Sequence, residues 1–226
     1  EMEVCFLMDR FGYMKLIDKN AYERNKEAVH NENKYVFNCM NTDKICIFTD
    51  TGKMHTIKAV DIPLGRFRDK GTPVDNLSNY DSSQERMLYV APVGQLRSDR
   101  LLFVTKTSMC KLVEGAEFDV AKRTIASTKL ADEDELIFIG SASEMEQIVL
   151  QSHGGCFLRF LTQEVSTMKK TALGVRGMKL ADDDYLEHAY LLAGHQEYTI
   201  SYHDKEYALN KVRLAKRDTK GIKPRI

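Results

Sequence analysis

The sequence predicts an all-β fold of about five propeller-like units with four strands each. Two observations carry that expectation: a hairpin signature that recurs five times, and a short β-like run in each interval between hairpins. Apolar runs of period two, broken by a tight turn and followed by a second apolar run, read as hairpins. They occupy Val4 to Ile17 around Arg10-Phe11-Gly12, Ile45 to Val60 around Asp50-Thr51-Gly52, Leu101 to Val113 around Lys106-Thr107-Ser108, Ile148 to Leu161 around Ser152-His153-Gly154, and Tyr198 to Leu209 around His203-Asp204-Lys205. The turn positions Gly12, Gly52, Ser108, Gly154 and Asp204 fall 40, 56, 46 and 50 residues apart, which is a structural period.

The intervening runs are Lys34 to Met40, Met87 to Val93, Glu135 to Gly140 and Leu186 to Leu192. One small sheet cannot bury both faces alone, so units of this length must stack on their neighbours. Lys19 to Asn33 is polar and compatible with helix but has no apolar stripe, which predicts a loop or a short helix. Neither a Gly-His with Trp-Asp signature nor any tryptophan is present, so an ordinary propeller is disfavoured.

Composition sets the remaining bounds. A content of 43% apolar residues over 226 is ample for a core, and 33 Lys and Arg cancel 33 Asp and Glu. The charges are unevenly placed: Lys205 to Ile226 holds eight bases against two acids, whereas Ala131 to Leu150 holds six acids and no base. Opposite poles of this kind suggest a binding face. Five cysteines without paired short spacings predict free thiols in a reducing compartment, and no apolar run approaches the length of a membrane span. The chain starts Glu1-Met2 and is expected to be a piece of something longer.

A second feature repeats out of phase with the hairpins. Basic loops follow them: Gly65-Arg66-Phe67-Arg68-Asp69-Lys70-Gly71, then Lys122-Arg123-Thr124, then Lys169-Lys170 running on to Gly174-Val175-Arg176-Gly177, and last Lys216-Arg217-Asp218-Thr219-Lys220-Gly221. Acidic loops precede the next strand at Ala131-Asp132-Glu133-Asp134 and Ala181-Asp182-Asp183-Asp184, and are expected to face away from any anionic ligand. Arg66, Arg68, Lys70, Lys122, Arg123, Lys169, Lys170, Arg176, Lys216, Arg217 and Lys220 thus sit at one repeat position. Stacked units would set them along one rim, suited to neutralising phosphates without reading bases. Gly71, Gly174, Gly177 and Gly221 suit tight turns and close strand approach, and Phe67 is expected to pack beneath its loop.

Constellations for catalysis are missing. His153-Gly154-Gly155-Cys156 lacks a Gly-x-Ser-x-Gly element and reads as a turn, the acidic loops lack the spaced partners of a metal site, and Cys39 and Cys46 lack Cys-x-x-Cys pairs. No catalytic residue and no metal ligand is assigned.

An ordered set of segments carries a resemblance over essentially the whole chain. Phe48-Thr49-Asp50-Thr51-Gly52-Lys53, Ile62-Pro63, the Arg66 to Gly71 loop running into Gly71-Thr72-Pro73-Val74-Asp75-Asn76-Leu77, and Gly174-Val175-Arg176-Gly177-Met178-Lys179-Leu180 resemble the C-terminal domain of the A subunit of bacterial type IIA topoisomerases, DNA gyrase and topoisomerase IV. The resemblance implies a single β-pinwheel over residues 1–226, a disc whose blades exchange strands and whose basic rim bends double-stranded DNA. It also implies a non-catalytic accessory role in a cytoplasmic, nucleoid-associated enzyme. The partners would be the N-terminal breakage-reunion domain of the same polypeptide and the ATPase B subunit, with ATP and Mg used elsewhere in the assembly and no cofactor in this domain. Gyrase carries a basic, glycine-rich box after its first hairpin; here that place reads Tyr22-Glu23-Arg24-Asn25-Lys26-Glu27-Ala28-Val29. This absence favours topoisomerase IV, with a diverged gyrase or a propeller serving as a protein-interaction platform as alternatives.

Overall fold

The structure, a computed structural model, describes residues 1–226. The first unit contains the hairpin β1 (Glu3–Met8) and β2 (Tyr13–Ile17), helices α1 (Lys19–Arg24) and α2 (Lys26–Glu32), and β3 (Tyr35–Met40). The second has hairpin β4 (Lys44–Thr49) and β5 (Lys53–Lys58), then β6 (Thr72–Pro73), the single turn α3 (Val74–Leu77), β7 (Met87–Pro92) and the single turn α4 (Val93–Leu96). The third has β8 (Arg100–Thr105), β9 (Met109–Glu114), β10 (Thr124–Ala126) and β11 (Leu136–Ser141), and the fourth β12 (Gln147–Ser152), β13 (Phe157–Leu161), β14 (Val175–Arg176) and β15 (Leu186–Leu192). The fifth is the hairpin β16 (Thr199–Tyr202) and β17 (Lys205–Ala208). The five hairpins and the four strands between them coincide with the runs expected from hydrophobic period.

The sheet orders are β3-β1-β2-β6, β10-β5-β4-β7, β11-β8-β9-β14, β13-β12-β15 and β16-β17, and every pairing between these strands is antiparallel. The third strand of each sheet follows its own hairpin, but the fourth does not. Strand β6 lies beyond the second hairpin yet pairs with β2 of the first, and β10 and β14 each reach back one unit in the same way. In the fourth unit a single bridge, Phe157 to Ile222, takes that place, and the fifth unit is a bare hairpin. The chain therefore forms four strand-exchanged blades and half of a fifth, in keeping with the about five units that the sequence pattern predicts.

Stacking explains a departure from simple alternation. Strands β1, β4, β8 and β12 are buried on both faces along nearly their whole length, because each inner sheet lies between two others and the outer face of the first is covered by α1 and α2. Met14 and Leu16 of the first blade meet Ile45, Ile47 and Ile57 of the second. Phe48 and Met54 face Phe103 and Val113, and Cys110 and Leu112 face Leu150, Leu158 and Phe160. Phe48 stands edge-on to Phe118 at 4.9 Å. Each such fully buried ring contributes about 1.5–3 kcal/mol relative to exposure. The fifth hairpin, too small to hold alone, is anchored by Tyr202 and Tyr207, both edge-on to Phe157. All five cysteines are free.

The polar segment after β2 folds as α1 and α2, capped by Asp18, whose carboxylate accepts from Ala21 N–H at 2.7 Å. These helices lie against their own blade, with Ala21 and Val29 packed beside Cys5, Leu7 and Ile17. No crossover leaves this first position.

Candidate nucleic-acid interface

Three of the four basic loops have one construction. After a 3-10 turn the chain runs parallel to the second hairpin strand of the preceding blade, at the bridges Leu16 to Leu64, Leu112 to Thr167 and Arg159 to Leu214. It then makes an excursion and returns antiparallel to that same strand as β6, β14 or the Ile222 bridge. Each return is made on a glycine in the left-handed region: Gly71 at φ +87°, Gly174 at +107° and Gly221 at +75°. A Cβ at these positions would stand 2.8 Å from Met14 O, 2.6 Å from Cys110 O and 2.6 Å from Phe157 O respectively, so the approach of the exchanged strand leaves no room for a side chain. The basic loops are therefore the excursions of the strand exchange, set along the same edge of successive sheets.

Two lysines that charge patterning passes over organise these excursions from below. Lys15 Nζ donates to Phe67 O at 2.5 Å and Asp69 O at 2.6 Å. At the equivalent place Lys111 Nζ reaches Lys169 O, Lys170 O and Ala172 O at 3.5, 2.9 and 2.6 Å, and the residue is only 1% exposed. Burial pushes the Lys111 ammonium down to about 8 against the pull of Glu117. Lys15 is lowered by the same cause, with Asp69 and Glu32 opposing it. An ammonium has three N–H donors and no acceptor, which matches a ring of carbonyls turned inward. In the last blade the position is Leu158, and a cavity of about 500 Å³ lies between it, Leu214 and the Lys216 to Gly221 loop.

The fourth basic segment differs. Composition groups Lys122-Arg123 with the others, but the chain there crosses directly, with Thr56 N–H donating to Arg123 O at 2.9 Å and no parallel leg. Thr124 occupies the glycine position, its hydroxyl 2.9 Å from His55 Nδ1, while His55 Nε2 meets Glu85 at 2.9 Å in a buried pair. The span from Phe118 to Thr124 is too short for an excursion.

The eleven candidate side chains separate by what already holds them. Arg66 is 92% exposed and 4.0 Å from Asp69; Arg68 is 76% exposed, 3.7 Å from Glu32 and stacked over Phe67. Phe67 itself is buried under the loop, as expected. Lys70 lies over the Tyr13 ring, and Lys122, Lys169, Lys216 and Lys220 are exposed with no acid within salt-bridge distance. The rest are held by partners within the chain. Arg176 makes a paired contact to Asp218 at 2.5 and 3.3 Å, which raises the arginine and lowers the acid. Arg217 bridges Glu164 O and Arg176 O at 3.0 and 2.8 Å, Arg123 donates to Leu77 O at 3.2 Å, and Lys170 sits 3.8 Å from Glu117. Seven of the eleven thus present their charge outward.

Lys129 and Lys179 join this edge. Both are exposed, and their backbone N–H groups donate to Lys170 O at 3.1 Å and Thr219 O at 2.8 Å, beside the third and last loops. The repeated Lys-Leu-Ala-Asp at 129–132 and 179–182 is the sequence signal that points to them.

The acidic loops have a local duty. Asp134 accepts from Thr107 N–H at 3.1 Å and Thr107 Oγ1 at 2.6 Å; Asp184 accepts from Gly154 N–H at 2.8 Å and Tyr185 N–H at 2.9 Å. Each acid pins the tip of its own blade's hairpin. Burial pushes Asp184 upward, but the donors from Gly154 and Tyr185 outweigh it and its carboxyl is held below the ordinary range.

A row of short antiparallel sheets, each completed by a strand from the next unit and each carrying its charged excursion on the same edge, defines a strand-exchanged β-propeller. The chain belongs to the family described as "DNA gyrase C-terminal domain, beta-propeller", whose model matches residues 43–82, 99–143 and 146–193. The DNA gyrase A protein of Ureaplasma parvum is 25% identical over 236 residues, covering 97% of this chain and 28% of that relative. The corresponding figures against the DNA gyrase A protein of Lawsonia intracellularis are 25% identity, 97% and 29%, so the chain spans well under a third of these relatives. Among solved structures, a C-terminal domain of DNA topoisomerase IV superposes with a TM-score of 0.84 at 22% identity, covering 98% of this chain and 72% of that one. A DNA gyrase A C-terminal domain gives 0.64 at 18%, covering 98% and 76%. No helix is long and apolar enough to cross a membrane.

Proposed function

We propose that this chain is a non-catalytic DNA-binding domain of a type IIA topoisomerase A subunit, holding double-stranded DNA in a bent path along the edge that carries the basic excursions. The observation that carries the reading is their common construction: loops with one backbone plan, at one edge of successive blades, with Arg66, Arg68, Lys70, Lys169, Lys216 and Lys220 directed outward. Such charges neutralise phosphates and release counterions, which supplies affinity without sequence preference. Bending 20 to 30 base pairs smoothly costs on the order of 1–6 kcal/mol, a sum that several phosphate contacts spread along a curved edge offset.

Topoisomerase IV is the favoured enzyme. The segment after the first hairpin folds as α1 and α2 lying on their own blade, so it offers no crossover and no basic box. The names of the gyrase relatives favour a diverged gyrase as the second reading. In either enzyme the partners are the breakage-reunion domain of the same polypeptide and the ATPase B subunit. ATP and Mg act outside this domain, and the setting is the cytoplasmic nucleoid.

Gel shift of the 226-residue chain on random-sequence duplex tests the binding: log affinity should fall linearly with log salt, and preference for one short sequence in competition would overturn the reading. The isolated chain should neither relax nor supercoil plasmid. Negative supercoiling by the full-length enzyme would select the gyrase reading, and relaxation with decatenation alone the topoisomerase IV reading.

A further inference from the structure

The strand exchange makes the blades comparable position by position, and one corner departs from the rest. The residue before the first hairpin strand is Asp43, Asp99 and Glu146 in the second, third and fourth blades, but Met2 in the first. Where the structure spends those acids it is on backbone and hydroxyl groups nearby: Asp43 accepts from Gly94 N–H at 3.1 Å and Asp99 from Ser141 Oγ at 2.9 Å. The middle residue of the 3-10 turn after the second hairpin is Val60, where later units have Ala116, Gln163 and Asn210. Met2, Val60 and Leu64 are 42%, 69% and 51% exposed and line one shallow cavity of about 230 Å³, floored by Val4, Leu16 and Ile62. Met2 and Val60 thus stand in water where the repeat elsewhere puts an acid, an amide or alanine, with Leu64, whose counterpart Leu214 is also exposed, beside them.

We propose that this corner is the docking surface for the part of the subunit that precedes Glu1, which seats an apolar segment over Met2, Val60 and Leu64. The proposal rests on reading the chain as one domain of a topoisomerase A subunit. The matched family is a C-terminal domain and the relatives are more than three times as long, so in such a subunit most of the chain lies ahead of Glu1. In a subunit of that plan the preceding chain would enter at Glu1, beside Met2 and the patch. A tethered partner acts at high effective concentration, so a patch of three side chains suffices where free association would need a standard interface. Contact here fixes the direction in which the basic edge is presented to the rest of the enzyme.

Methionine oxidation by dilute peroxide reads the contact directly, since sulfoxidation follows exposure. Met40 is 37% exposed and faces the opposite side of its sheet from Met2, while Met8, Met14 and Met54 are fully buried, so the chain carries both controls. In the isolated 226 residues Met2 and Met40 should oxidise and the buried three should not. In the full-length subunit Met2 should oxidise at least about tenfold more slowly, with Met40 unchanged. Val60→Asp should restore Met2 oxidation in the subunit while leaving the Tm of the 226-residue chain and its salt-dependent DNA affinity unaltered. Equal Met2 rates in the isolated chain and the full-length protein would overturn the proposal. So would a dimer of the isolated chain in sedimentation that Val60→Asp dissociates, because a second copy would then be the occupant. Loss of DNA binding with Met2 still protected would refute the proposed function and leave the docking surface standing.

Discussion

Replacing Gly174 with alanine tests whether the strand exchange is held by close backbone approach. The residue sits at φ +107° with the position of a Cβ 2.6 Å from Cys110 O, a backbone atom held within the paired part of β9. Forcing an L side chain into that region of backbone space costs about 1–3 kcal/mol. Relieving the clash requires β14 to withdraw, which loosens the Val175 to Cys110 pairing and the Gly177 N–H to Ser108 O bond of 2.7 Å, each worth about 1 kcal/mol. The sum is about 3–5 kcal/mol, and for a chain of this size each kcal/mol lowers Tm by roughly 2–4 °C. Thermal melting by circular dichroism should therefore show a drop on the order of 6–20 °C for Gly174→Ala. Leu173→Ala, at a half-exposed neighbour, should melt within about 2 °C of the parent chain. The DNA affinity of the alanine variant should fall as well, because Lys169 is carried on the displaced excursion. A drop in Tm below about 2 °C would refute the reasoning, since it would mean that the exchanged strand does not depend on that approach.

Other consequences follow from particular side chains. Lys111 is lowered to about 8 in the folded chain against an ordinary value of 10.5, so between those pH values the unfolded state binds more protons and the group makes stability rise with pH. The difference in urea stability between the parent and Lys111→Met should grow by up to about 3 kcal/mol from pH 8 to 10.5, in favour of the parent; a flat difference would show that the ammonium is not buried. Asp184 is held below its ordinary range, so its contribution is present at neutral pH and is lost as pH falls through its folded value. Asp184→Ala should cost about 1 kcal/mol at pH 7 and progressively less as pH falls through that folded value, measured by denaturant melts. Among the basic residues, Arg66→Ala and Lys216→Ala should each reduce the slope of log affinity against log salt by about 1. Arg176→Ala, whose guanidinium is already taken by Asp218, should leave that slope unchanged and lower stability slightly in thermal melts.

The hairpins are legible because their signal is local: a turn residue flanked by apolar runs needs no knowledge of neighbours, and all five lie where the pattern puts them. The excursions are legible as basic loops but not as one structural device, since their common feature is a backbone return on Gly71, Gly174 or Gly221 against a strand of the preceding unit. Charge counting merges Lys122-Arg123 with them because it sees composition and not path length. It also ranks Arg176 and Arg217 beside Arg66, although the first two are spent on Asp218 and on carbonyls, whereas the third, 92% exposed, is only loosely paired with Asp69. Lys15 and Lys111 are invisible as anchors because a lysine inside an apolar strand looks the same whether its ammonium meets water or three carbonyls.

The sequence by itself determined the repeat, the strand content and the alternation of basic and acidic loops, because each is written in residues adjacent along the chain. Only the tertiary structure decided that the fourth strand of each blade comes from the next unit, that α1 and α2 lie on their own blade instead of crossing, and that the fifth blade is a hairpin alone. Those features depend on contacts between residues some fifty to seventy positions apart, such as Gly71 on Met14 and Gly174 on Cys110. Close packing across that separation, and not local propensity, selects which loop ends up carrying charge to the outer edge.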